Sequence, residues 1–240
     1  MSPPSRHECL LEAARATKGF MPDNEGLALA AMAERASRAG FASIVEVGAY
    51  CGRSTLYLAA GIARAESPGA ARTVVFSIDH HRGSEENQAG FEHHDATLVN
   101  PETGRMDTLP FWRRAVEAAG AEDLAIAVVG DSPTVAAHWN VAAGLVFIDG
   151  GHGEAPAWAD YEGWAPRVAE GGWLAIHDVF PDPAQGGRPP FEIYKWALSC
   201  GEFAEEHLAQ TGSLRVLRRL PGSGSASRSR PQGSDPSTNS

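Results

Sequence analysis

Acidic side chains close or follow five predicted strands of this sequence, and as a group they are the residues best suited to chemistry. They are Glu46, Asp79, Asp131, Asp149 and Asp178. Because the carboxyl ends of parallel strands meet at one edge of an α/β sheet, where such folds bind ligands, we expect these carboxylates to lie close together. The cluster favours a cation, either a positively charged cofactor, a divalent metal or both. The structural alternative is an acidic edge whose carboxylates are only solvated.

The first of these acids stands in residues 43–56, around which the chain is organised. A β-branched run contains Glu46, Gly48 and Gly52 follow, and Ser54 opens an apolar helical pattern. Strand, glycine turn and helix make the first unit of a doubly wound α/β fold. The stretch lacks both the G-x-G-x-x-G dinucleotide fingerprint and the lysine of a P-loop. The carboxylate of Glu46 would repel a pyrophosphate and suits a cationic ligand, and an ordinary βα turn is the alternative.

The second predicted strand, residues 73–78, ends at Asp79. In doubly wound folds an acid at the end of the second strand commonly accepts hydrogen bonds from ribose hydroxyls. A helix cap or a purely structural carboxylate is the alternative. Together with the glycine turn, Asp79 favours a nucleoside-like ligand.

Residues 80–110 are polar and show neither helical nor strand periodicity, and they contain His80, His81, His93 and His94. A long irregular segment inside a compact domain is usually a functional lid or binding loop. A zinc cluster is the alternative, but the histidine spacing matches no structural zinc pattern. We therefore expect this loop to cover a substrate or cofactor.

The rest of the chain alternates strands and helices, which predicts an α/β fold with a doubly wound, mostly parallel sheet and N-terminal helices. Helices are predicted at 7–18, 22–39, 55–66, 109–119, 133–140, 155–168 and 190–199, and strands at 44–47, 73–78, 124–129, 145–148, 173–176, 203–209 and 213–219. We divide the chain into an N-terminal helical extension (1–40), a catalytic domain (41–220) and a disordered tail rich in Gly, Ser and Pro (221–240). The N-terminal helices either cover the site or pack a homodimer.

The formal net charge of −10 argues against binding to nucleic acid or to anionic membranes, and it is compatible with a neutral small molecule such as a sugar. No apolar run approaches the roughly 18–20 residues of a membrane span. The first residues lack the layout of a signal peptide, so a cytoplasmic location is expected. Three distant cysteines indicate neither a disulfide framework nor a cysteine-type zinc site.

Taken in order, the strand ends resemble those of class I S-adenosylmethionine-dependent methyltransferases over residues 40–220. The matching motifs are V-E-V-G-x-x-x-G at 45–52, Asp79, G-D-S at 130–132, F-I-D-G-G-H at 147–152 and G-G-W-L-A-I-H-D at 171–178. The I-D-G-x-H segment is similar to that of bacterial metal-dependent small-molecule O-methyltransferases. Residues 79–95 resemble actinobacterial sugar methyltransferases of methylmannose polysaccharide synthesis. That likeness implies a sugar acceptor, with the 1-hydroxyl of a 3-O-methylated mannoside as the candidate.

The resemblance implies a role for each matching position. The residues that would bind S-adenosylmethionine are Glu46, Gly48, Gly52 and Ser54 at the methionine end, Asp79 at the ribose, Gly130, Asp131 and Ser132 around the adenine, and Asp149. Mg²⁺ would be bound by Asp149 and Asp178, with His177 where relatives usually place another oxygen ligand. Because imidazole is a softer ligand than carboxylate, His177 is alternatively an outer hydrogen-bond partner or an acid–base group.

The expected reaction is methyl transfer to a deprotonated hydroxyl that is held in line with the donor. His152, three residues past Asp149, is the expected general base because an imidazole titrates near the operating pH. A capping or outer hydrogen-bonding role is the alternative for His152. Two other classes of function stay open: a metallohydrolase that uses the histidine-rich loop and the strand-end acids, and a catalytically silent cofactor-binding module.

Overall fold

The structure is a computed structural model that describes residues 3–66, 72–84, 87–88, 90–91, 94–151, 153–182 and 188–222. The helices in these ranges are α1 (Arg6–Ala16), α2 (Asp23–Arg38), α3 (Arg53–Ala65), α4 (Leu109–Ala118), α5 (Ser132–Ala137), α6 (Glu154–Trp164) and α7 (Arg188–Ser199). The strands are β1 (Ser43–Val47), β2 (Val74–Asp79), β3 (Ala125–Val129), β4 (Ala143–Ile148), β5 (Val168–Ile176), β6 (Phe203–Glu205) and β7 (Arg215–Arg219).

Within the described residues, seven strands form one sheet in the order β3-β2-β1-β4-β5-β7-β6. Strands β1 to β5 pair in parallel, and β7 is antiparallel to both β5 and β6. The chain runs outward from β1 to β2 and β3, and then crosses back to place β4 on the other side of β1. This reversal is the topological switch point at which open α/β sheets bind ligands. The predicted doubly wound, mostly parallel sheet is confirmed.

The central strand β1 is buried on both faces, which is why its sequence is a nearly continuous apolar run. Ile44 belongs to the core that contains α1, α2 and α3. Val45 and Val47 belong to the core on the other face, which contains α6 and α7. The sheet therefore lies between two helical layers, and its carboxyl edge is left open between them.

Helices α1 and α2 are packed into the same core as α3. A capping box between Ser5 and Glu8 starts α1, and Leu10 on its inner face is fully buried. Gly61 of α3 permits close packing on α2, because a Cβ there would lie 2.0 Å from the carbonyl oxygen of Ala30. The predicted N-terminal extension is thus continuous with the core of the α/β fold.

The predicted elements differ from the structure at β5 and near the C-terminus. Strand β5 begins at Val168, five residues before the strand predicted at 173–176, and the helix predicted over 155–168 ends at Trp164. The strand predicted over 203–209 ends at Glu205, and His207–Ala209 form a 3₁₀ turn. This strand lies at the sheet edge and pairs only with β7, so side-chain pattern alone did not define its end. Where it is described, the 80–110 loop contains a 3₁₀ turn at Ala96–Leu98 and an isolated β-bridge between Val99 and Met106, and its last two residues already belong to α4. The predicted disordered tail lies outside the described residues from position 223 onward.

Within the part of the chain that the structure describes, no helix is both long enough and apolar enough to cross a bilayer.

Candidate cofactor and active site

A cavity of about 1470 Å³ opens at the carboxyl ends of β1, β2, β4 and β5. It is larger than the roughly 300–1,000 Å³ of a usual small-molecule pocket, so it has room for two ligands side by side. The predicted site residues in its lining are Gly48, Ser54, Asp79, Gly130, Asp131, Ser132, Asp149, His177 and Asp178. Of the predicted residues that the structure describes, Glu46 and Gly52 are outside the lining.

The glycine turn after β1 approaches the end of β4 closely. Gly48 has a φ of 88°, and a Cβ at this position would lie 2.1 Å from the carbonyl oxygen of Asp149. Gly52 also has a positive φ, of 97°, and caps the start of α3. Both positions need the left-handed conformation that glycine adopts without steric cost. The absence of a side chain at Gly48 therefore lets the turn after β1 pack directly against the end of β4, and this packed backbone forms part of the cavity wall.

Asp79 holds this glycine turn in place. Its Oδ2 accepts hydrogen bonds from the backbone N–H groups of Ala49 and Tyr50 at 2.9 and 2.8 Å, and its Oδ1 accepts one from His81 at 2.6 Å. The carboxylate still lines the cavity. Each carboxylate oxygen has two lone pairs, so these contacts leave acceptor capacity for a ligand hydroxyl. Asp79 fits a ribose and also has the structural role that was its alternative.

Glu46 does not reach the cavity, which corrects the expectation that it contacts the cofactor directly. Its side chain is fully buried, and its Oε2 accepts hydrogen bonds from the hydroxyls of Thr55 and Ser77 at 2.6 and 2.5 Å. Burial raises the pKa of Glu46 to about 7. The acid therefore joins β1, β2 and α3 beneath the cavity wall, because the pleat of β1 points this side chain into the core.

Asp131 and Ser132 lie at the start of α5, just after strand β3. Asp131 accepts hydrogen bonds from the N–H and the hydroxyl of Thr134 at 3.2 and 2.7 Å, so it caps the helix while it lines the cavity. The Ser132 hydroxyl accepts a hydrogen bond from the Trp164 indole at 2.8 Å. Both residues line the cavity, and the protein itself uses part of their hydrogen-bonding capacity, so their adenine role stays a prediction.

Asp160 of α6 is a cavity residue that sequence reasoning missed. It is 5% exposed, and its Oδ2 lies so near Gly150 that a Cβ there would be 2.3 Å away. Burial raises the pKa of Asp160 to about 6. Helical spacing could have identified it, because residues 157, 160 and 164 lie on one face of α6. Asp160 is the acidic residue on that otherwise apolar buried face.

Asp149, His177 and Asp178 form one group with ligand atoms within 4.8 Å of one another. The His177 Nδ1 lies 2.9 Å from Asp149 Oδ1 and 3.3 Å from Asp178 Oδ2, yet it is buried and makes no aligned hydrogen bond. Although burial alone lowers the pKa of His177, the neighbouring carboxylates, Asp149 foremost, raise it well above its ordinary value. A buried ring nitrogen between two carboxylates fits a divalent cation.

Glu25, which sequence reasoning also missed, completes this group from α2. The His177 Nε2–H donates a hydrogen bond to Glu25 Oε2 at 2.5 Å, and both side chains are buried. Residues 25 and 177 are 152 positions apart, so no local pattern connects them. The available signal was helical spacing, because Glu25 lies one turn before Leu29 on the buried face of a predicted helix.

A family model described as Methyltransferase domain matches residues 45–179, which is more than half of the chain. The chain belongs to this methyltransferase family. The matched segment begins in β1 and ends just after Asp178. It therefore contains the glycine turn, Asp79 and the group formed by Asp149, His177 and Asp178.

Solved structures of other methyltransferases share the fold at low sequence identity. An O-methyltransferase from Bacillus cereus in complex with SAH has a TM-score of 0.56 at 17% identity, with 92% of each chain covered. The O-methyltransferase TomG from Streptomyces achromogenes, in complex with SAM, has a TM-score of 0.54 at 14% identity, with 91% of each chain covered. A TDP-rhamnose 3'-O-methyltransferase of calicheamicin biosynthesis has a TM-score of 0.57 at 16% identity, with 80% of this chain and 78% of that chain covered. These likenesses concern the fold.

Besides the strand ends, the N-terminal segment and the 80–110 loop also line the cavity. Lys18 forms an ion pair with Asp95 of the loop, and the Phe20 and Tyr50 rings lie 5.4 Å apart. Phe91 of the loop also lines the cavity. Of the two roles left open for the N-terminal helices, this placement supports covering the site, and the homodimer stays a prediction.

The histidine-rich loop contains no metal-type group in its described part. His81 is buried against the Thr108 hydroxyl at 2.7 Å, and burial lowers its pKa. His94 contacts the carbonyl oxygen of Asn87. His93 and the expected general base His152 lie outside the described residues, so the role of His152 stays a prediction. Together with the family match, the described part of the loop gives no support to a metallohydrolase.

Proposed function

We propose that the chain is an S-adenosylmethionine-dependent O-methyltransferase that acts on a hydroxyl of a small molecule in the cytoplasm. The observation that carries this proposal is the large cavity at the topological switch point. One side of the cavity is the glycine turn held by Asp79, and the other side is the Asp149–His177–Asp178 group. The first side suits a nucleoside cofactor and the second suits an acceptor oxygen.

Different residues around the cavity would bind different parts of the cofactor. The backbone of Gly48 and the side chains of Ser54 and Asp79 would hold the methionine and ribose parts of the cofactor, with Asp131, Ser132 and Asp160 around its base. S-adenosylmethionine supplies an activated methyl group when it is bound. The protein then has to hold the acceptor oxygen close to the methyl group and in line with it, which is a matter of positioning.

The acceptor hydroxyl needs to lose a proton, and this chain offers two means. His152 is the proposed general base, because it follows Asp149 by three residues in the sequence. Asp149, His177 and Asp178 would hold a divalent ion, for which the sequence resemblance implies Mg²⁺, and this ion would lower the pKa of a bound hydroxyl. The proposed acceptor is a sugar, with the 1-hydroxyl of a 3-O-methylated mannoside as the candidate. The loop at 79–95 and the shared fold of a TDP-rhamnose methyltransferase support the sugar class.

A thermal-shift titration with S-adenosylhomocysteine tests the cofactor. We expect saturating ligand to raise the melting temperature, since binding to the native state stabilises it by about 2.7 kcal/mol at one hundred times Kd. A screen of methyl transfer to sugars, phenols and partly methylated mannosides, with and without Mg²⁺, then tests the acceptor. A melting temperature that changes with neither S-adenosylmethionine nor S-adenosylhomocysteine would contradict the proposal. If activity survives treatment with a chelator, the chain is still a methyltransferase but does not require a metal.

A further inference from the structure

The group formed by Glu25, His177, Asp149 and Asp178 supports an inference that rests on the proposed function and deepens it. We propose that this site takes a borderline transition ion, such as Fe²⁺, Co²⁺ or Zn²⁺, in preference to Mg²⁺. In this site Glu25 is a positioning residue that fixes His177 as the nitrogen ligand.

The orientation of the imidazole is the first support. A carboxylate can only accept, so the ring nitrogen that faces Glu25 at 2.5 Å is the one that carries hydrogen. Without an ion the ring is protonated on both nitrogens, and an ion that binds displaces the Nδ1 proton to water. The lone pair is then on Nδ1, which lies between Asp149 and Asp178. Metal-binding histidines almost always donate their other N–H to a carboxylate or carbonyl in this way.

The fixed position of Glu25 is the second support. Its Oε1 accepts a hydrogen bond from the backbone N–H of Ser213 at 2.5 Å and another from the Ser213 hydroxyl at 3.2 Å. Gly212, with a φ of 55°, leaves room for this carboxylate, because a Cβ there would lie 2.0 Å from Glu25 Oε1. The turn before β7 therefore holds Glu25 from one side while His177 holds it from the other. A carboxylate fixed this way sets the ring orientation before any ion arrives.

The chemistry of the donor set is the third support. Mg²⁺ favours an octahedral shell of oxygen atoms and gives up its water reluctantly. Imidazole suits softer divalent ions such as Zn²⁺ and Fe²⁺. One nitrogen and two carboxylates thus shift the preference from Mg²⁺ toward the transition ions.

The test measures ion affinity rather than turnover. The full-length chain, freed of metal with chelator and saturated with S-adenosylhomocysteine, is titrated calorimetrically with Co²⁺ and with Mg²⁺. We expect Co²⁺ to bind about 100-fold more tightly than Mg²⁺, and we expect His177→Asp and His177→Asn to reduce that ratio at least about tenfold. Glu25→Gln should weaken Co²⁺ binding by about 10- to 100-fold. Glu34→Gln, on the same helix but half-buried against Arg38 and Arg64 outside the cavity, is the matched control and should change neither affinity.

A spectroscopic measurement checks direct ligation. Pulsed EPR of bound Mn²⁺ should detect the coupling of a directly bound imidazole ¹⁴N in the native chain and lose it in His177→Asn. Melting curves of each variant establish that it is folded, and Glu25→Gln remains as a second variant if the His177 variants do not fold.

Two results overturn the inference. One is a chain that binds S-adenosylhomocysteine and no divalent ion, in which case Glu25 and His177 form a structural ion pair between α2 and β5. The other is a Co²⁺-to-Mg²⁺ ratio that His177→Asp and His177→Asn leave unchanged. Failure of S-adenosylhomocysteine to bind at all contradicts the proposed function instead, and the ion titration still decides the metal site.

Discussion

Burial raises the pKa values of the Glu46 and Asp160 carboxyl groups. Glu46 shows how such a shift makes the stability of the fold depend on pH. Its folded-state pKa of about 7 stands above the ordinary value of 4.5 because the charged form is desolvated. The folded protein therefore binds this proton more tightly than the unfolded chain does. The stability that comes from the neutral carboxyl is complete below pH 4.5 and is lost as the pH rises through 7.

We expect Glu46→Gln to remove this pH dependence, because a glutamine side chain is neutral at every pH. Relative to the native chain, the variant should gain about 2 kcal/mol of unfolding free energy between pH 5 and pH 8. Urea unfolding of both proteins at the two pH values measures the difference. Glu34→Gln serves as the control and should show no such gain. An equal difference between variant and native chain at both pH values would mean that Glu46 is charged in the folded protein.

At the scale of elements, the turn between β1 and α3 depends on a close backbone approach as well as on a special conformation. Gly48 and Gly40 have nearly the same φ, 88° and 85°, but only Gly48 has another chain segment within reach of a Cβ. The pair therefore separates the cost of the left-handed conformation from the cost of the approach to Asp149.

We expect Gly40→Ala to cost about 1 kcal/mol of stability, which is the backbone penalty alone. Gly48→Ala should cost several kcal/mol, since the turn or the end of β4 has to move, and it should abolish S-adenosylhomocysteine binding. Chemical unfolding and calorimetric titration of both variants make the comparison. Equal losses of stability in the two variants, with binding retained, would show that the approach at Gly48 is not needed.

For the molecule as a whole, the N-terminal helices determine how large the cooperative unit is. Leu10 is fully buried in the core shared by α1, α2 and α3, whereas Leu27 on α2 is 38% exposed. If the helices belong to one fold, damage to their packing lowers the stability of the entire chain.

We expect Leu10→Ala to cost about 2–5 kcal/mol and Leu27→Ala less than about 1 kcal/mol, with a single unfolding transition in each case. Far-ultraviolet circular dichroism and tryptophan fluorescence, followed through the same melt, should give coincident curves. A separate early transition in Leu10→Ala, with the rest of the chain melting at the native temperature, would instead define residues 1–40 as an independent extension.

The sequence by itself determined the α/β fold, the glycine turn and the set of acids at the sheet edge. These follow from local patterns, because an apolar strand that ends in an acid carries its own signal and parallel strands bring their ends together. The sequence pattern alone places Asp79, Asp149 and Asp178 at this edge, and all three line the cavity.

Only the tertiary structure decided which carboxylates face the cavity and which lie in the core. Glu46 and Asp149 look alike in sequence, but the pleat of β1 buries the first, while the second lies past the last residue of β4. Glu25 reaches His177 across 152 positions of sequence, and that contact exists because α2 packs beside the ends of β5 and β7. Contacts between distant segments depend on how the elements pack, and no local pattern encodes them.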